Sequence, residues 1–157
     1  MKQVAVGQPV PDFSVSSTGG ETVSLADFSG RNLVLYFYPK DNTPGCTTEG
    51  RDFNEKLEAF DALNTSVLGV SRDSLKTHEN FRKKQGFTFD LISDTDESLC
   101  QLFDVIKEKK LYGRTYMGIV RSTFIIDADG VLREAFRNVK VPGHVDSVLE
   151  AVKTLTG

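Results

Sequence analysis

Residues 33–53 read LVLYFYPKDNTPGCTTEGRDF, and this stretch indicates how the fold begins. The apolar run at 33–37 has the length of a strand that is buried on both faces. Residues 44–63 then place apolar side chains at helical spacing, at Phe53, Leu57, Phe60 and Leu63. A buried strand that leads directly into a helix is typical of an α/β domain.

The rest of the chain continues this alternation of strands and helices. We predict a hairpin around a Gly turn (13–17 with 21–25), a strand (66–71), a polar helix (74–85) and a short edge strand (90–93). A short helix (98–105), a second hairpin (123–127 with 131–136) and a closing helix (143–155) follow. This order predicts one α/β domain over 1–157. We expect a thioredoxin-like three-layer fold with a central mixed sheet flanked by helices and an N-terminal β-hairpin.

The overall composition is that of an ordinary soluble chain of 157 residues, with 39% hydrophobic and 26% charged residues. The formal charge of −3 argues against a nucleic-acid partner, because phosphate binding needs clustered Lys and Arg. No apolar run has the length of a signal peptide or a membrane span. We therefore expect a cytoplasmic protein without a membrane partner. Its two cysteines are then free thiols and not a structural disulfide.

Cys46 follows Thr43-Pro44-Gly45, a sequence that favours the start of a helix. Thr is a preferred N-cap residue, and Pro is preferred at the first helical position. Cys46 then falls at the third helical position, where unpaired backbone N–H groups stabilise a negative charge. A thiolate in such a position is a nucleophile at neutral pH. A buried, unreactive cysteine that happens to follow a turn is the alternative.

The sequence lacks the partners that other kinds of cysteine chemistry need. Cysteine proteases use a base, usually histidine, and we predict that both histidines, His78 and His144, are surface residues. A dithiol reductase needs C-x-x-C, but Glu49 holds the partner position. No close ligand pair indicates a metal site, and no Gly-rich loop indicates a nucleotide. Attack of one thiolate on a peroxide O–O bond remains, and we expect no metal or other cofactor.

Two motifs in the chain resemble a known family. PKDNTPGC at 39–46 matches the peroxiredoxin signature P-x-x-x-T-x-x-C, and the longer YFYPKDNTPGCTTEG resembles the bacterioferritin comigratory protein subfamily, also called peroxiredoxin Q. TYMGIVRSTFIID at 115–127 is similar to the same subfamily. The N-terminal GQPVPDFSV and the chain length also agree, so the resemblance covers nearly the whole chain.

The resemblance implies a thiol-dependent peroxidase that reduces hydrogen peroxide and organic hydroperoxides. Cys46 would be the nucleophile, which becomes a sulfenic acid. Thr43 would position the peroxide and the thiolate through its hydroxyl. Arg121 would stabilise the thiolate and the charge that develops on the leaving oxygen. Pro39 would shield the thiolate from water.

The chain departs from the subfamily at the resolving cysteine. Many members carry it five residues after the first cysteine, where this chain has Arg51, or on the helix predicted at 74–85, which has none. We therefore favour a one-cysteine mechanism in which thioredoxin, glutaredoxin or a small thiol reduces Cys46. Cys100 is the internal alternative as a resolving thiol, although a small buried side chain in the core also explains it. The resemblance favours a monomer.

Two other classes of function stay open at this point. One is a binding or chaperone module that uses the same fold with an idle thiol. The other is a thiol–disulfide reductase of the thioredoxin type. Retention of Thr43, Cys46 and Arg121 favours the peroxidase over both.

Overall fold

A computed structural model describes residues 3–156, which form nine strands and five α-helices. The strands are β1 (Ser14–Ser17), β2 (Glu21–Ser24), β3 (Asn32–Phe37), β4 (Thr65–Ser71), β5 (Leu91–Ser93), β6 (Ile106–Leu111), β7 (Arg114–Ile119), β8 (Ser122–Ile126) and β9 (Leu132–Phe136). The helices are α1 (Pro44–Glu55), α2 (Leu57–Ala62), α3 (Leu75–Gln85), α4 (Ser98–Leu102) and α5 (His144–Thr156). A short 3₁₀ helix, Leu25–Phe28, follows β2.

The central sheet has seven strands in the order β2-β1-β5-β4-β3-β8-β9. Strands β5, β4 and β3 are parallel, whereas β1 pairs antiparallel with β5 and β8 pairs antiparallel with β3. Connections between the parallel strands run through helices, as parallel pairing requires. The predicted thioredoxin-like fold with a mixed central sheet is therefore confirmed, and so is the N-terminal hairpin, β1 with β2.

Strand β3 divides the apolar core into two clusters, because successive side chains of a strand point to opposite faces. Leu35 and Phe37 belong to the cluster that includes Cys100. Tyr36 belongs to the cluster that includes Cys46. The two thiols thus lie on opposite faces of the central sheet.

The helices are distributed unequally over the two faces. Apolar side chains of α1, α2, α3 and α5 pack in the cluster with Cys46. Helix α4 packs in the other cluster, against which side chains of the 3₁₀ helix and of β6 also lie. Among residues 3–156, no helix combines the length and the apolar character needed to cross a membrane.

Three predicted elements differ from those in the structure. The helix predicted at 44–63 is broken at Lys56, whose backbone N–H bonds back to the carbonyl of Phe53 at 3.2 Å and tightens the turn. The strand predicted at the sheet edge, β5, is an inner strand that pairs with both β1 and β4. Helix α4 ends at Leu102 and not at 105.

A two-stranded sheet formed by β6 and β7 was absent from the prediction. Its first strand carries the charged segment IKEKKL, which lacks the apolar alternation typical of a strand. Most of its side chains are in fact exposed, so the chain forms a hairpin that stands apart from the central sheet. This hairpin leads directly to Arg121 and β8, and therefore it helps to place Arg121 at the start of an inner strand.

Candidate active site

Cys46 lies in the first turn of α1, with only 2% of its surface exposed. Thr43 is the N-cap residue with an extended backbone, and Pro44 opens the helix, so Cys46 holds the predicted third position. The Thr43 hydroxyl does not cap the helix, however. It donates to the carbonyl of Lys40 at 2.8 Å. Its oxygen lone pairs are thereby free of the helix N–H groups and can accept a hydrogen bond from a substrate.

Arg121 lies between β7 and β8, and its guanidinium reaches the start of α1. Its Nη2 is 3.4 Å from the Sγ of Cys46, and its Nη1 is 2.5 Å from Oε1 of Glu49. One planar guanidinium group therefore contacts both the thiol of Cys46 and the buried carboxyl of Glu49. Cys46 and Arg121 belong to two separate sequence motifs, and the structure brings them into contact although 75 positions separate them.

Glu49 is a functional candidate that the sequence motifs do not indicate. Its side chain is fully buried one helical turn after Cys46, on the same face of α1. Burial raises the pKa of its carboxyl to about 7, although the positive charge of Arg121 opposes this shift. The i, i+3 spacing from Cys46 was the available signal, but only the fold shows that a distant arginine completes the pair.

Glu49 makes the stability of the protein depend on pH. Its folded-state pKa of about 7 lies above the ordinary 4.5, so protonated Glu49 stabilises the fold fully below pH 4.5 and loses this effect as the pH rises through 7. We expect the free energy of unfolding to fall across this window by about 3 kcal/mol relative to Glu49→Gln, which keeps the size and an acceptor for Arg121. Denaturant unfolding of both proteins from about pH 4 to 8 measures the difference, in which the other carboxyls cancel. A difference that stays constant with pH would contradict this prediction.

Gly45 is the residue over which the guanidinium of Arg121 lies. A Cβ atom at this position would stand 3.2 Å from Nη2 of Arg121, closer than an ordinary contact. The absence of a side chain at Gly45 therefore gives room to the guanidinium of Arg121.

Pro39 is half-buried where the chain leaves β3, between the buried Tyr38 and the exposed Lys40. It opens the loop 39–43 that connects β3 to α1. The structure thus places Pro39 and Thr43 at the two ends of one short connection, with Cys46 just beyond it.

Cys100 is fully buried in α4, in the cluster on the other face of the sheet. Its backbone N–H donates to the carboxylate of Asp94 at 2.7 Å. Burial, together with the nearby carboxylate, raises the pKa of the Cys100 thiol far above its usual range. A thiol that stays protonated is a poor nucleophile, and the structure does not bring Cys100 near Cys46.

The two histidines are buried, so the prediction that both are surface residues was wrong. His78 is 0% exposed and bonds to Asp41, whereas His144 is 7% exposed and its Nε2 lies 2.7 Å from the hydroxyl of Thr123. Burial lowers the pKa of His144 to about 4, and the charge of Arg121 adds to this effect. Each buried imidazole forms a hydrogen bond with a polar side chain, which offsets the cost of removing it from water.

Asp41, Asp73 and His78 form a cluster of possible metal ligands, with their ligand atoms within 4.8 Å of one another. The Nδ1 of His78 lies 2.6 Å from the carboxylate of Asp41, however, which is a hydrogen-bond distance with no room for an ion between the atoms. The carboxylate of Asp73 accepts from the backbone N–H of Asp41 and from the Ser71 hydroxyl. This cluster is therefore a hydrogen-bond network, and its donor set does not fit a metal as it stands.

Comparison with known proteins identifies the family. The AhpC/TSA family model matches residues 6–135. The chain belongs to the AhpC/TSA family. Peroxiredoxin Bcp of Xanthomonas campestris pv. campestris is 56% identical over 142 residues, which cover 90% of this chain and 89% of the relative. Peroxiredoxin Bcp of Bacillus subtilis is 46% identical, with 98% of both chains covered.

Solved structures agree with this assignment. The bacterioferritin comigratory protein of X. campestris, solved as a trapped intermediate/ligand complex and studied for its alkyl peroxide reduction activity, matches with a TM-score of 0.91 at 50% identity. That match covers 98% of this chain and 100% of the other. A cysteine-to-serine mutant of Xylella fastidiosa PrxQ matches with a TM-score of 0.94 at 46% identity and covers 100% of both chains. The chain is thus a peroxiredoxin of the Bcp and PrxQ type, and it is a thiol-dependent peroxidase.

Proposed function

We propose that Cys46 is the peroxidatic nucleophile of this peroxiredoxin and that an external thiol reduces it after each turnover. The 3.4 Å contact between Nη2 of Arg121 and the Sγ of Cys46 carries the proposal. A guanidinium at this distance stabilises the thiolate and donates to whatever oxygen binds beside it.

The first step transfers one oxygen atom to sulfur. The thiolate of Cys46 attacks the nearer oxygen of a hydroperoxide, an S–O bond forms and the O–O bond breaks. The leaving oxygen takes the bonding pair and then a proton, so hydrogen peroxide yields water and an organic hydroperoxide yields an alcohol. Cys46 becomes a sulfenic acid. Arg121 stabilises the charge on the leaving oxygen, because its guanidinium is already fixed by Glu49.

Thr43 and Pro39 act on the substrate side of this step. The Thr43 hydroxyl donates to Lys40, so its oxygen accepts the hydrogen bond of the peroxide O–H. Pro39 stands at the start of the same loop, offers no backbone N–H and shields the thiolate from water. Thr43 orients the peroxide toward the sulfur.

The second step returns the sulfenic acid to the thiol with two equivalents of an external thiol. The first equivalent forms a mixed disulfide with Cys46 and releases water, and the second releases Cys46 and leaves the reductant as a disulfide. Two features of the structure support an external reductant: Cys100 is buried on the other face of the central sheet, and α3 contains no cysteine. In addition, Arg51 stands five residues after Cys46, where the family resemblance implies a resolving cysteine in many members.

The finer assignments follow from the same mechanism. We propose that the substrates are hydrogen peroxide and organic hydroperoxides, in line with the alkyl peroxide reduction studied in the X. campestris relative. The proposed reductants are thioredoxin, glutaredoxin or a small thiol, and the proposed state is a cytoplasmic monomer that carries out the reaction without a cofactor.

The intact mass of the reduced protein after one equivalent of hydrogen peroxide, without added thiol, tests this proposal. We expect a gain of one or two oxygen atoms, located on Cys46 by peptide mapping, with Cys100 unmodified. Oxidation to the sulfenic and then the sulfinic acid accounts for the two products.

Two other results would each contradict part of the proposal. A loss of two hydrogen atoms within a monomer would show that Cys46 and Cys100 form a disulfide and that Cys100 resolves. An unchanged mass would remove Cys46 as the peroxide-reactive group and would favour the binding module.

A further inference from the structure

A buried polar network lies at the base of the loop 39–43, beside the residues already assigned to the reaction. The Asp41 network consists of Tyr38, Asp41, Asp73 and His78. Asp41 is 3% exposed, and Tyr38 and His78 are 1% and 0% exposed. The Tyr38 hydroxyl donates to Oδ1 of Asp41 at 2.6 Å, and Nδ1 of His78 lies 2.6 Å from Oδ2.

The hydrogen bonds of His78 define a buried pair with Asp41. Its Nε2 lies 2.9 Å from the carbonyl oxygen of Ile92, which can only accept, so Nε2 carries a hydrogen. Its Nδ1 lies 2.6 Å from Oδ2 of Asp41, so the imidazole and the carboxyl share one hydrogen, and the Tyr38 hydroxyl donates to the other carboxyl oxygen. The pair as a whole is therefore uncharged and fully hydrogen-bonded. Breaking such a buried pair costs much more than losing an exposed ion pair.

The network joins three separate parts of the fold at one point. His78 lies on α3, Ile92 lies on β5, and Asp41 lies in the loop that enters α1. The backbone N–H of Asp41 also donates to the carboxylate of Asp73 at 3.0 Å. Both the side chain and the main chain of Asp41 are therefore held, only two residues before Thr43.

The loop that presents Cys46 turns sharply just before Thr43. Asn42, between Asp41 and Thr43, has a φ of 63°, a left-handed conformation that asparagine adopts more readily than most residues. The bonds to Asp41 are the ones that fix the chain immediately before this residue.

Cys46 must react with two partners of very different size. A hydroperoxide is small enough to reach a sulfur that is 2% exposed, but a thiol on another protein is not. Attack on the sulfenic acid requires the second sulfur to approach Cys46 in line, so the first turn of α1 and the loop before it must open. We infer that the Asp41 network is the positioning element that holds this loop closed for peroxide and sets how often it opens to an external thiol.

The inference rests on the proposed role of Cys46, but its test does not depend on peroxidase activity. The probe is iodoacetamide, which alkylates thiols, and peptide mass spectrometry reads Cys46 and Cys100 separately. Cys100 is buried in the other core cluster, so it reports global unfolding, whereas Cys46 reports opening of the loop as well. The ratio of the two labelling rates at one fixed pH isolates the local event.

Two variants weaken the Asp41 network, and one is a matched control. His78→Leu removes both hydrogen bonds of the imidazole, and Asp41→Asn keeps the shape but replaces the carboxyl by an amide. Ser74→Ala weakens the same helix elsewhere, because the Ser74 hydroxyl accepts from the backbone N–H of Thr77 at 3.2 Å as the N-cap of α3. Should His78→Leu not fold, Asp41→Asn carries the test with the same readout.

We expect the ratio of Cys46 to Cys100 labelling to rise roughly 10- to 100-fold in His78→Leu, which corresponds to leaving the buried carboxyl of Asp41 without its imidazole partner. The rise in Asp41→Asn is smaller but in the same direction, and Ser74→Ala leaves the ratio unchanged. A ratio equal to the wild-type value in both network variants would overturn the inference. So would a parallel rise at both cysteines, because it would show a purely structural role.

Kinetics supply a second, independent readout. In the same variants, the rate constant for reaction with hydrogen peroxide falls, while that for reduction of the sulfenic acid by a protein thiol rises. A general loss of active enzyme lowers both constants and would contradict the inference. If neither the wild type nor any variant reacted with peroxide, the proposed function would fail. The labelling ratios would still decide the role of the Asp41 network.

Discussion

Replacement of Cys46 by serine is expected to reduce peroxide consumption to the uncatalysed background. A serine hydroxyl at the start of α1 stays protonated at neutral pH. Within residues 3–156, no general base forms a hydrogen bond with the side chain at this position, so the hydroxyl is not activated. Arg121 still lies beside the site, but it has no nucleophile to stabilise. The loss of peroxide in the presence of dithiothreitol, as a small thiol, measures the effect.

Cys100→Ser is the matched control for this experiment. The new hydroxyl can donate to the nearby carboxylate of Asp94, so the α4 region keeps its polar contact. We expect turnover equal to that of the wild type. Substantial loss of turnover in Cys100→Ser, with peroxide attack at Cys46 retained, would show that Cys100 takes part in the reductive half of the cycle.

Arg121→Lys is expected to lower the rate constant for reaction with hydrogen peroxide roughly 100- to 1,000-fold, the usual effect of losing one preorganised donor to a developing oxyanion. The charge is conserved, but an ammonium group cannot span both Glu49 and Cys46 as the guanidinium does. Single-turnover oxidation of Cys46 under excess peroxide measures the constant without the reductive step.

Arg31→Lys controls for the change of residue type. Arg31 forms an ion pair of 2.9 Å with Asp61, whose side chain is 76% exposed, so lysine there should leave the oxidation rate unchanged. A rate in Arg121→Lys within a few-fold of the wild type would show that charge alone, and not the fork geometry, is what the reaction needs.

Local sequence signals predicted the parts of the structure that are fixed by near neighbours. Thr43 and Pro44 placed Cys46 at the third position of α1, and the structure agrees. The predicted range 74–85 likewise agrees with α3, which has Ser74 as its N-cap and ends at Gly86 with a left-handed φ of 72°. Such signals work because capping depends on residues that are adjacent in the chain.

Residues whose partners are distant in sequence could not be predicted in this way. Glu49 acquires its role from Arg121, which lies 72 positions away. His78 lies in a largely polar helix, and its burial is explained by the carboxyl of Asp41, 37 positions away, and by the carbonyl of Ile92. In both cases the partner is supplied by the order of the strands, which local patterns do not encode.

The β6–β7 hairpin was missed for a different reason. Its turn has positive φ at Tyr112 and Gly113, of 52° and 76°, as a two-residue hairpin loop requires. Asn-Gly and Asp-Gly are the strong signals for such a turn, and tyrosine at the first position is a weak one. The charged strand before it adds no apolar alternation, so neither strand nor turn was evident.

The position of the two thiols on opposite faces of the sheet determines how the oxidised centre recovers. A thiol tethered within reach of Cys46 would act at an effective concentration of roughly millimolar, whatever the surroundings supplied. The central sheet separates Cys46 from Cys100, because the two cysteines pack in different core clusters. In the one-cysteine mechanism, recovery is therefore bimolecular, and the lifetime of the sulfenic acid is set by how much free reductant surrounds the protein.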